Sequence, residues 1–293
     1  MNITATRFAT QIRTWLLIAG LTALLIAIGG AIGGGALWLF VALAVLMNVG
    51  GYWFSDKLAL KASRARPLER GEIPELEQIA GFLAQRANVP VPRLYLIPSD
   101  QPNAFATGRN PEHAAVAVTE GLLRQLPTDE VQGVLAHEFA HIKNRDILVS
   151  SIAAMVAGAI SAVATVLQFS MLFGGDEDDS PLGLFGTLGA IIIAPIAAML
   201  LQLGISRQRE FLADATGAQL LGEAAPLADA LTTLERGAQA LPMDVNPATA
   251  SLYAVNPLPR KGLATLFMTH PPLAERIRRL RAMDGERAFA LAA

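Results

Sequence analysis

The chain has 293 residues, of which 53% are hydrophobic and only 16% are charged, and its formal net charge is -2. A nucleic-acid-binding protein normally carries a strong basic excess, so this charge argues against that class and predicts no nucleic-acid partner. The lack of cysteine excludes a disulfide framework, a zinc–thiolate site and a cysteine nucleophile. The apolar composition predicts a membrane protein instead.

A long uncharged segment follows the N-terminus. It contains 42 residues between Arg13 and Asp56, more than the roughly 20 that one transmembrane helix needs. A glycine cluster at 29–35 divides it, which predicts a helical hairpin with spans at 15–31 and 36–54. The alternative is a cleaved signal peptide, which would have a shorter apolar region and no second span directly after it.

A second apolar block lies at 147–173 and 181–206, with the acidic sequence GGDEDD between its two arms. Each arm is long enough to span a bilayer, which predicts a second transmembrane hairpin. The alternative is a buried pair of core helices, because both arms are rich in Gly, Ala and Ser. Basic residues flank the outer ends of both hairpins and are absent from both hairpin loops. The positive-inside rule therefore predicts that both termini and the segments outside the hairpins are cytoplasmic.

These boundaries divide the chain into four parts. The first hairpin occupies 1–56 and the second 147–206, while 57–146 and 207–293 form two pieces of one soluble domain. In the first piece, the pattern at 73–89 predicts an amphipathic helix. The sequences RLYLIP and AAVAVT predict strands, with NAFATG between them.

The sequence HEFAH at the end of the first soluble piece places two histidines four residues apart. On a helix this spacing puts both rings on one face, so His137 and His141 can hold one metal ion between them. Glu138 is rotated by about 100° around the helix axis, so it can reach a water molecule at the metal rather than the metal itself. The motif predicts a zinc peptidase with Glu138 as the base. Two solvated surface histidines are the alternative.

A catalytic zinc ion needs a third protein ligand as well as an open position. Glu210 and Asp214 lie in SRQREFLADATGA and share a spacing of four residues on a predicted helix. Glu210 could complete the ligand set, and Asp214 could accept a hydrogen bond from a ligating histidine. These acidic residues directly follow the second hairpin and the histidines directly precede it, so the hairpin would bring the two helix ends together.

Four segments, NAFATG, HEFAHIKNRD, SRQREFLADA and FMTHPPLAERI, resemble the signature segments of the HtpX family of membrane metalloproteases, in the same order. The resemblance covers nearly the whole chain. It implies a zinc endopeptidase of the bacterial inner membrane that degrades misfolded or damaged membrane proteins as part of stress response and protein quality control. It also implies one zinc ion per chain and these roles: His137, His141 and Glu210 as ligands, Glu138 as catalytic base and Asp214 as a hydrogen-bond partner of a ligand.

The expected fold class combines these features. It is a mainly α membrane protein with two transmembrane helical hairpins and a cytoplasmic α+β zincin-like metalloprotease domain that contains a small sheet. The catalytic domain would consist of 57–146, with the zinc helix, and 207–293, with the third ligand. The lipid bilayer and unfolded membrane proteins are the expected partners, and self-cleavage is a further expectation.

Two binding roles remain to be assigned. Negative charge that develops on the substrate carbonyl oxygen needs a donor, for which His270 and Arg207 are the candidates. The alternatives are a helix-capping role for the histidine and a membrane-interface role for the arginine. A peptide substrate is expected to pair with an exposed strand edge. The NAFATG segment is the candidate edge, with Asn103, Ala104 and Phe105 as the predicted substrate-binding residues.

Other functions stay open at this point. An intramembrane protease would carry its zinc motif inside an apolar span, whereas charged residues surround this one. A processing protease for specific membrane substrates would share the same chemistry. A non-catalytic zinc-binding membrane scaffold or regulator is the alternative from another class, and the intact Glu138 argues against it because a structural zinc site does not need that residue.

Overall fold

The computed structural model describes residues 36–152, 207–241, 243, 245, 250–257 and 271–292, together with single positions between 12 and 30. These residues form a predominantly helical fold with one small sheet. The helices are α1 (Ala36–Ala62), α2 (Pro74–Ala87), α3 (Glu120–Gln125), α4 (Thr128–Asn144), α5 (Arg207–Leu221), α6 (Ala225–Ala240) and α7 (Leu273–Ala292). The strands are β1 (Arg66–Pro67), β2 (Arg93–Ile97), β3 (Ala104–Thr107) and β4 (Ala115–Thr119).

The two predicted hairpins are only partly covered by the described residues. The second arm of the first hairpin, predicted at 36–54, is helical within α1, which continues to Ala62. Among the described residues, no helix combines the length and the apolar character that a membrane crossing requires. Most of the first arm and nearly all of the second hairpin lie outside the described residues, so the hairpins stay predictions.

The sheet has the strand order β1-β2-β4-β3. β2 and β4 are parallel, whereas β1 pairs with β2 and β3 pairs with β4 in antiparallel fashion. Both strands predicted from RLYLIP and AAVAVT are confirmed. β4 is one of the two inner strands and all five of its residues are buried, which agrees with its run of small apolar residues. β3, which corresponds to NAFATG, lies at the edge.

The predicted helix at 73–89 is confirmed as α2. It begins with Pro74, whose fixed φ suits the first helical position, and ends before Asn88, which adopts a left-handed conformation with φ 56°. Its buried face follows the helical spacing i, i+3, i+4, i+7. The residues on that face are Leu76, Ile79, Ala80, Leu83, Ala84 and Ala87.

Helix α4 carries the histidines and packs between two other helices through glycines. A Cβ atom at Gly133 would lie 2.7 Å from backbone atoms of Pro226 and Leu227 in α6. A Cβ atom at Gly217 of α5 would lie 3.1 Å from backbone atoms of Ala136 and His137. Because glycine has no side chain, α5 and α6 approach α4 closely at these points, and the chain on either side of the second apolar block meets here.

Candidate metal centre

Three side chains from α4 and α5 converge on one point. The Nε2 atoms of His137 and His141 are 3.1 Å apart. The carboxylate of Glu210 places one oxygen 3.6 Å from the first Nε2 atom and its other oxygen 3.7 Å from the second. Two nitrogen ligands at this separation, each about 2.05 Å from a common ion, subtend an angle of about 100°, close to tetrahedral. The donor set therefore fits a metal ion such as zinc.

Local structure explains why these groups meet. The histidines are one turn apart on α4, so their rings share a face. Glu210 lies in the first turn of α5 and is buried. The close contact of Gly217 with the backbone at His137 fixes α5 beside α4 and so holds the carboxylate near both rings.

Asp214 contacts His137 on the side of the ring that faces away from the metal point. Its Oδ1 atom is 3.0 Å from Nδ1 of the ring. Arg276 of α7 donates two hydrogen bonds to the same carboxylate, with Nε at 2.8 Å from Oδ2 and Nη2 at 2.7 Å from Oδ1. Burial acts to raise the pKa of Asp214, but the charge and hydrogen bonds of Arg276 outweigh it and lower the pKa to about 2. The carboxylate is therefore ionised at neutral pH.

The ionised Asp214 defines how the ring of His137 can bind. Burial is the main cause that lowers the pKa of this histidine, so the neutral ring is favoured. A neutral imidazole that donates from Nδ1 to a carboxylate keeps the lone pair of Nε2 for a metal ion. Asp214 therefore lies where the predicted hydrogen bond to this ring would form, and Nη2 of Arg276 is also 3.3 Å from each ring nitrogen.

Asp146 has the same relation to His141, and sequence reasoning missed it. Both of its carboxylate oxygens lie 3.1 Å from Nδ1 of the ring. α4 ends at Asn144, and Arg145 adopts a left-handed conformation with φ 60°, which turns the chain back so that Asp146 N–H donates to the His141 carbonyl. Burial acts to lower the pKa of His141, but the charges of Asp146, Glu210 and Glu138 raise it to about 9.

Glu138 lines the same small cavity as the candidate ligands. The cavity has a volume of about 20 Å³, enough for one water molecule or ion. Burial is the main cause that raises the pKa of the Glu138 carboxyl to about 7, while the charge of His141 and a hydrogen bond from the Ala106 N–H act in the opposite direction. A cation held by the neighbouring ligands would lower this pKa again, because it favours the carboxylate.

The predicted substrate-binding residues of β3 are buried, which corrects the role expected for Asn103. Its side-chain Nδ2 donates to the Val255 carbonyl, and its Oδ1 accepts from the N–H groups of Ala104 and Val255. With no exposed surface, this side chain does not offer an atom to a substrate. It positions the segment 250–257 against the start of the edge strand.

The same segment covers part of the β3 edge. The Ala254 N–H donates to the Ala104 carbonyl at 2.9 Å. The ring of Phe105 packs edge-to-face against Tyr253, with 5.1 Å between ring centroids. At Ala104 the outward edge of the strand is therefore already paired within the chain. Ala106, farther along the same edge, lines the metal cavity.

Of the two candidate oxyanion donors, only Arg207 lies within the described residues, and it does not line the metal cavity. Arg207 is the first residue of α5 and its side chain is exposed. His270 lies outside the described residues. Among the described residues, Arg276 approaches the centre, with its Nη1 atom 3.7 Å from a carboxylate oxygen of Glu210.

Sequence reasoning did not identify Arg276, although a signal for it exists. Leu273 and Leu280 are buried on the apolar face of α7, and Arg276 lies on that face with no exposed surface. An arginine at an apolar position of a helix requires a buried acidic partner. Here that partner is Asp214.

The model of peptidase family M48 matches residues 72–284. The chain belongs to peptidase family M48. It is 55% identical over 281 residues to a protease HtpX homologue of Syntrophobacter fumaroxidans, covering 94% of this chain and 99% of the relative. A protease HtpX homologue of Pelotomaculum thermopropionicum is 52% identical and covers 93% of this chain and 99% of the relative.

The M48 assignment confirms the resemblance to the HtpX family, and with it the prediction of a metallopeptidase, a hydrolase of peptide bonds. The fold also resembles the crystal structure of S. mikatae Ste24p, with a TM-score of 0.50 and 21% identity. That match covers 94% of this chain and 67% of the other. The mostly helical fold with a small mixed sheet is thus that of an M48 peptidase.

Proposed function

We propose that this M48 peptidase is a zinc-dependent endopeptidase of the bacterial inner membrane that cleaves misfolded or damaged membrane proteins at the cytoplasmic face. The proposed peptide-bond hydrolysis rests on one observation. The ring nitrogens of His137 and His141 and the carboxylate of Glu210 converge, and Glu138 lines the same cavity. A scaffold that bound zinc for structure alone would not need a fourth residue, the unligated carboxylate of Glu138, at that cavity.

The residues of the chain take distinct parts in this reaction. His137, His141 and Glu210 would hold one zinc ion, which when bound supplies a Lewis acid for the water and the substrate carbonyl. The carboxylate of Glu138 takes the proton of the attacking water and passes it to the leaving amine. Its burial excludes bulk water, and the Ala106 N–H orients it.

Two further groups keep the proposed ligands in place. Asp214 and Asp146 each lie at the Nδ1 side of one histidine, which would direct both Nε2 atoms toward the same point. For the developing charge on the carbonyl oxygen, we propose His270 as the donor, because the exposed Arg207 lies at the solvent-facing start of α5.

The membrane location rests on the apolar segments. We infer two transmembrane hairpins, at 1–56 and 147–206, around a catalytic domain made of 57–146 and 207–293, with both termini in the cytoplasm. Exposed apolar side chains along α1, such as Trp38 and Leu46, support contact with lipid. Unfolded membrane proteins would then reach the metal centre close to the bilayer surface.

The conservative substitution Glu138→Gln tests the proposed chemistry. It preserves the size of the buried side chain but removes the base, so we expect zinc to bind stoichiometrically while cleavage of an unfolded protein such as casein falls at least about 100-fold. Zinc content by mass spectrometry and single-turnover cleavage are measured on one preparation of the full chain. The exposed Glu223 provides the matched control, and Glu223→Gln should leave both quantities unchanged. Cleavage at the wild-type rate by Glu138→Gln would overturn the assignment.

A further inference from the structure

A second, larger cavity lies away from the metal centre, where the C-terminal part of α1 meets the start of β2 and the turn at Pro111–His113. Its volume is about 540 Å³. Trp53 and Phe54 of α1 and Val91 provide apolar walls, and all three side chains are about half exposed. The cavity is open to solvent and belongs to neither the proposed ligands nor the base.

Cationic side chains stack on the aromatic walls of this cavity. The guanidinium carbon of Arg109 is 4.6 Å from the ring centroid of Trp53, and Nζ of Lys57 is 5.5 Å from that of Phe54. Such cation–π contacts hold a charge over an aromatic face without neutralising it. Among the described residues, neither cation has a carboxylate within ion-pair distance.

The other charged groups of the cavity leave it positive. Arg93 donates to Asp56 at 2.7 Å, so these two charges compensate each other. Glu112 lines the cavity and is exposed. Nδ1 of His113 lies 2.7 Å from Oδ1 of Asn110, so this ring nitrogen already has a hydrogen-bond partner within the turn. Lys57 and Arg109 together outweigh the single uncompensated carboxylate.

An exposed apolar stripe on α1 leads to the mouth of the cavity. Trp38, Val45, Val49 and Trp53 follow the spacing of one helix face and are all more than half exposed. Apolar surface that ends at a tryptophan and two cations is the pattern of a membrane–water interface, where acyl chains meet headgroups.

We propose that this cavity binds the phosphate headgroup of an anionic phospholipid, with the phosphate between Lys57 and Arg109 and an acyl chain along the α1 stripe. A lone phosphate ion would satisfy the cations but not the apolar walls, and a purely apolar ligand would leave the cations without a counter-charge. The inference rests on the proposed membrane location and is independent of the peptidase chemistry. The site would hold the catalytic domain at a defined height and tilt on the bilayer.

Fluorescence of Trp53 in the full-length protein provides the test. The chain has three tryptophans, so Trp15→Phe and Trp38→Phe leave Trp53 as the single fluorophore. This protein is placed in nanodiscs of phosphatidylcholine, and quenching is compared between brominated phosphatidylglycerol and brominated phosphatidylcholine at equal mole fraction. We expect preferential quenching by the anionic lipid. Lys57→Gln and Arg109→Gln should each lower that preference about fivefold, the factor expected for one interfacial cation.

Arg86 supplies the matched control, because it also stacks on an exposed aromatic ring, that of Phe82, but does not line the cavity. Arg86→Gln should leave the lipid preference unchanged. All variants should retain zinc and casein cleavage, which verifies that they fold. The lipid preference of each variant is the ratio of its quenching by the two brominated lipids. A substitution that changes the intrinsic emission of Trp53 affects both values equally and therefore cancels in this ratio.

Other outcomes would reject the headgroup site, the lipid as its ligand, or the proposed membrane location. Equal quenching by both lipids, or an undiminished preference in the double variant that combines Lys57→Gln with Arg109→Gln, overturns the headgroup site. Binding of inorganic phosphate in phosphatidylcholine nanodiscs, lost in the double variant and without a lipid preference, would make the cavity a site for a soluble anion. Recovery of the chain in the soluble cell fraction would instead contradict the proposed membrane location, and casein cleavage tests the peptidase separately.

Discussion

At the scale of single residues, the candidate metal centre includes two carboxylates that would not touch the metal. His137 and His141 each face such a carboxylate at Nδ1, yet the two carboxylates reach them differently. Asp214 comes from α5 and is held by Arg276, while Asp146 is only five residues from its histidine and depends on the left-handed turn that ends α4. We expect both arrangements to orient a ring and to increase its basicity as a proposed ligand.

Asp146→Asn isolates this effect at the second histidine. The amide has nearly the same shape but accepts a weaker hydrogen bond and carries no charge, so the affinity for zinc should fall roughly 10–100-fold. Competition with a chromophoric chelator measures that affinity. Asp129→Asn is the control, because Asp129 is exposed in the first turn of the same helix. If both variants bound zinc as tightly as the wild type, Asp146 would have no role in orienting the ligand.

At the scale of elements, the centre requires that α4 be closely packed on two sides. Gly133 permits the approach of α6, and Gly217 permits the approach of α5. The atoms that a new Cβ would meet are backbone atoms of the neighbouring helices, so a larger side chain would have to displace a helix. Small residues at these crossing points therefore set the separation between helices, and with it the position of Glu210 relative to the histidines.

Two glycine-to-alanine substitutions with opposite expected effects test this. At Gly133 a Cβ would lie only 2.7 Å from the α6 backbone, so Gly133→Ala should lower the free energy of unfolding by roughly 1–3 kcal/mol. At Gly81 in α2 no atom lies within 4 Å of the added Cβ, so Gly81→Ala should raise it by up to about 1 kcal/mol through helix propensity. Denaturant unfolding in detergent measures both. A stabilised Gly133→Ala variant would show that α6 can move without cost.

At the scale of the whole molecule, the distribution of basic residues predicts how the chain is oriented in the membrane. The loop GGDEDD is predicted to face outward, and the catalytic domain is predicted to face the cytoplasm. The chain contains no cysteine, so single cysteines report on each side without background. The position chosen for a cysteine in the catalytic domain must have room for a side chain. A position such as Gly121 is unsuitable, because a Cβ atom there would lie 2.0 Å from the Asp100 carbonyl oxygen.

We therefore expect Gly175→Cys to react with a membrane-impermeant thiol reagent in intact cells and Gln85→Cys to react only after lysis. Gln85 is exposed on α2, so its cysteine is accessible once the reagent enters. Labelling of Gln85→Cys in intact cells would invert the proposed orientation. Lack of labelling at Gly175 before and after lysis would favour the buried helix pair over the second hairpin.

Local patterns in the sequence determined much of this protein. The spacing of four between His137 and His141, and between Glu210 and Asp214, specifies a shared helix face wherever a helix forms, so these groups could be identified without knowledge of the fold. The strands of RLYLIP and AAVAVT and helix α2 also followed from local periodicity. The apolar segments predicted a membrane protein by composition alone.

Only the tertiary structure decided which distant groups meet. The partnership of Arg276 with Asp214 joins α7 to α5 across 62 positions of the chain, and no local spacing indicates it. Asn103 was predicted to contact substrate, but it bonds to Val255 within the chain. The segment that contains Val255 lies about 150 residues farther along and covers part of the β3 edge. Helix and strand patterns depend on nearest neighbours along the chain, whereas such contacts depend on how whole elements pack, through close approaches like those at Gly133 and Gly217.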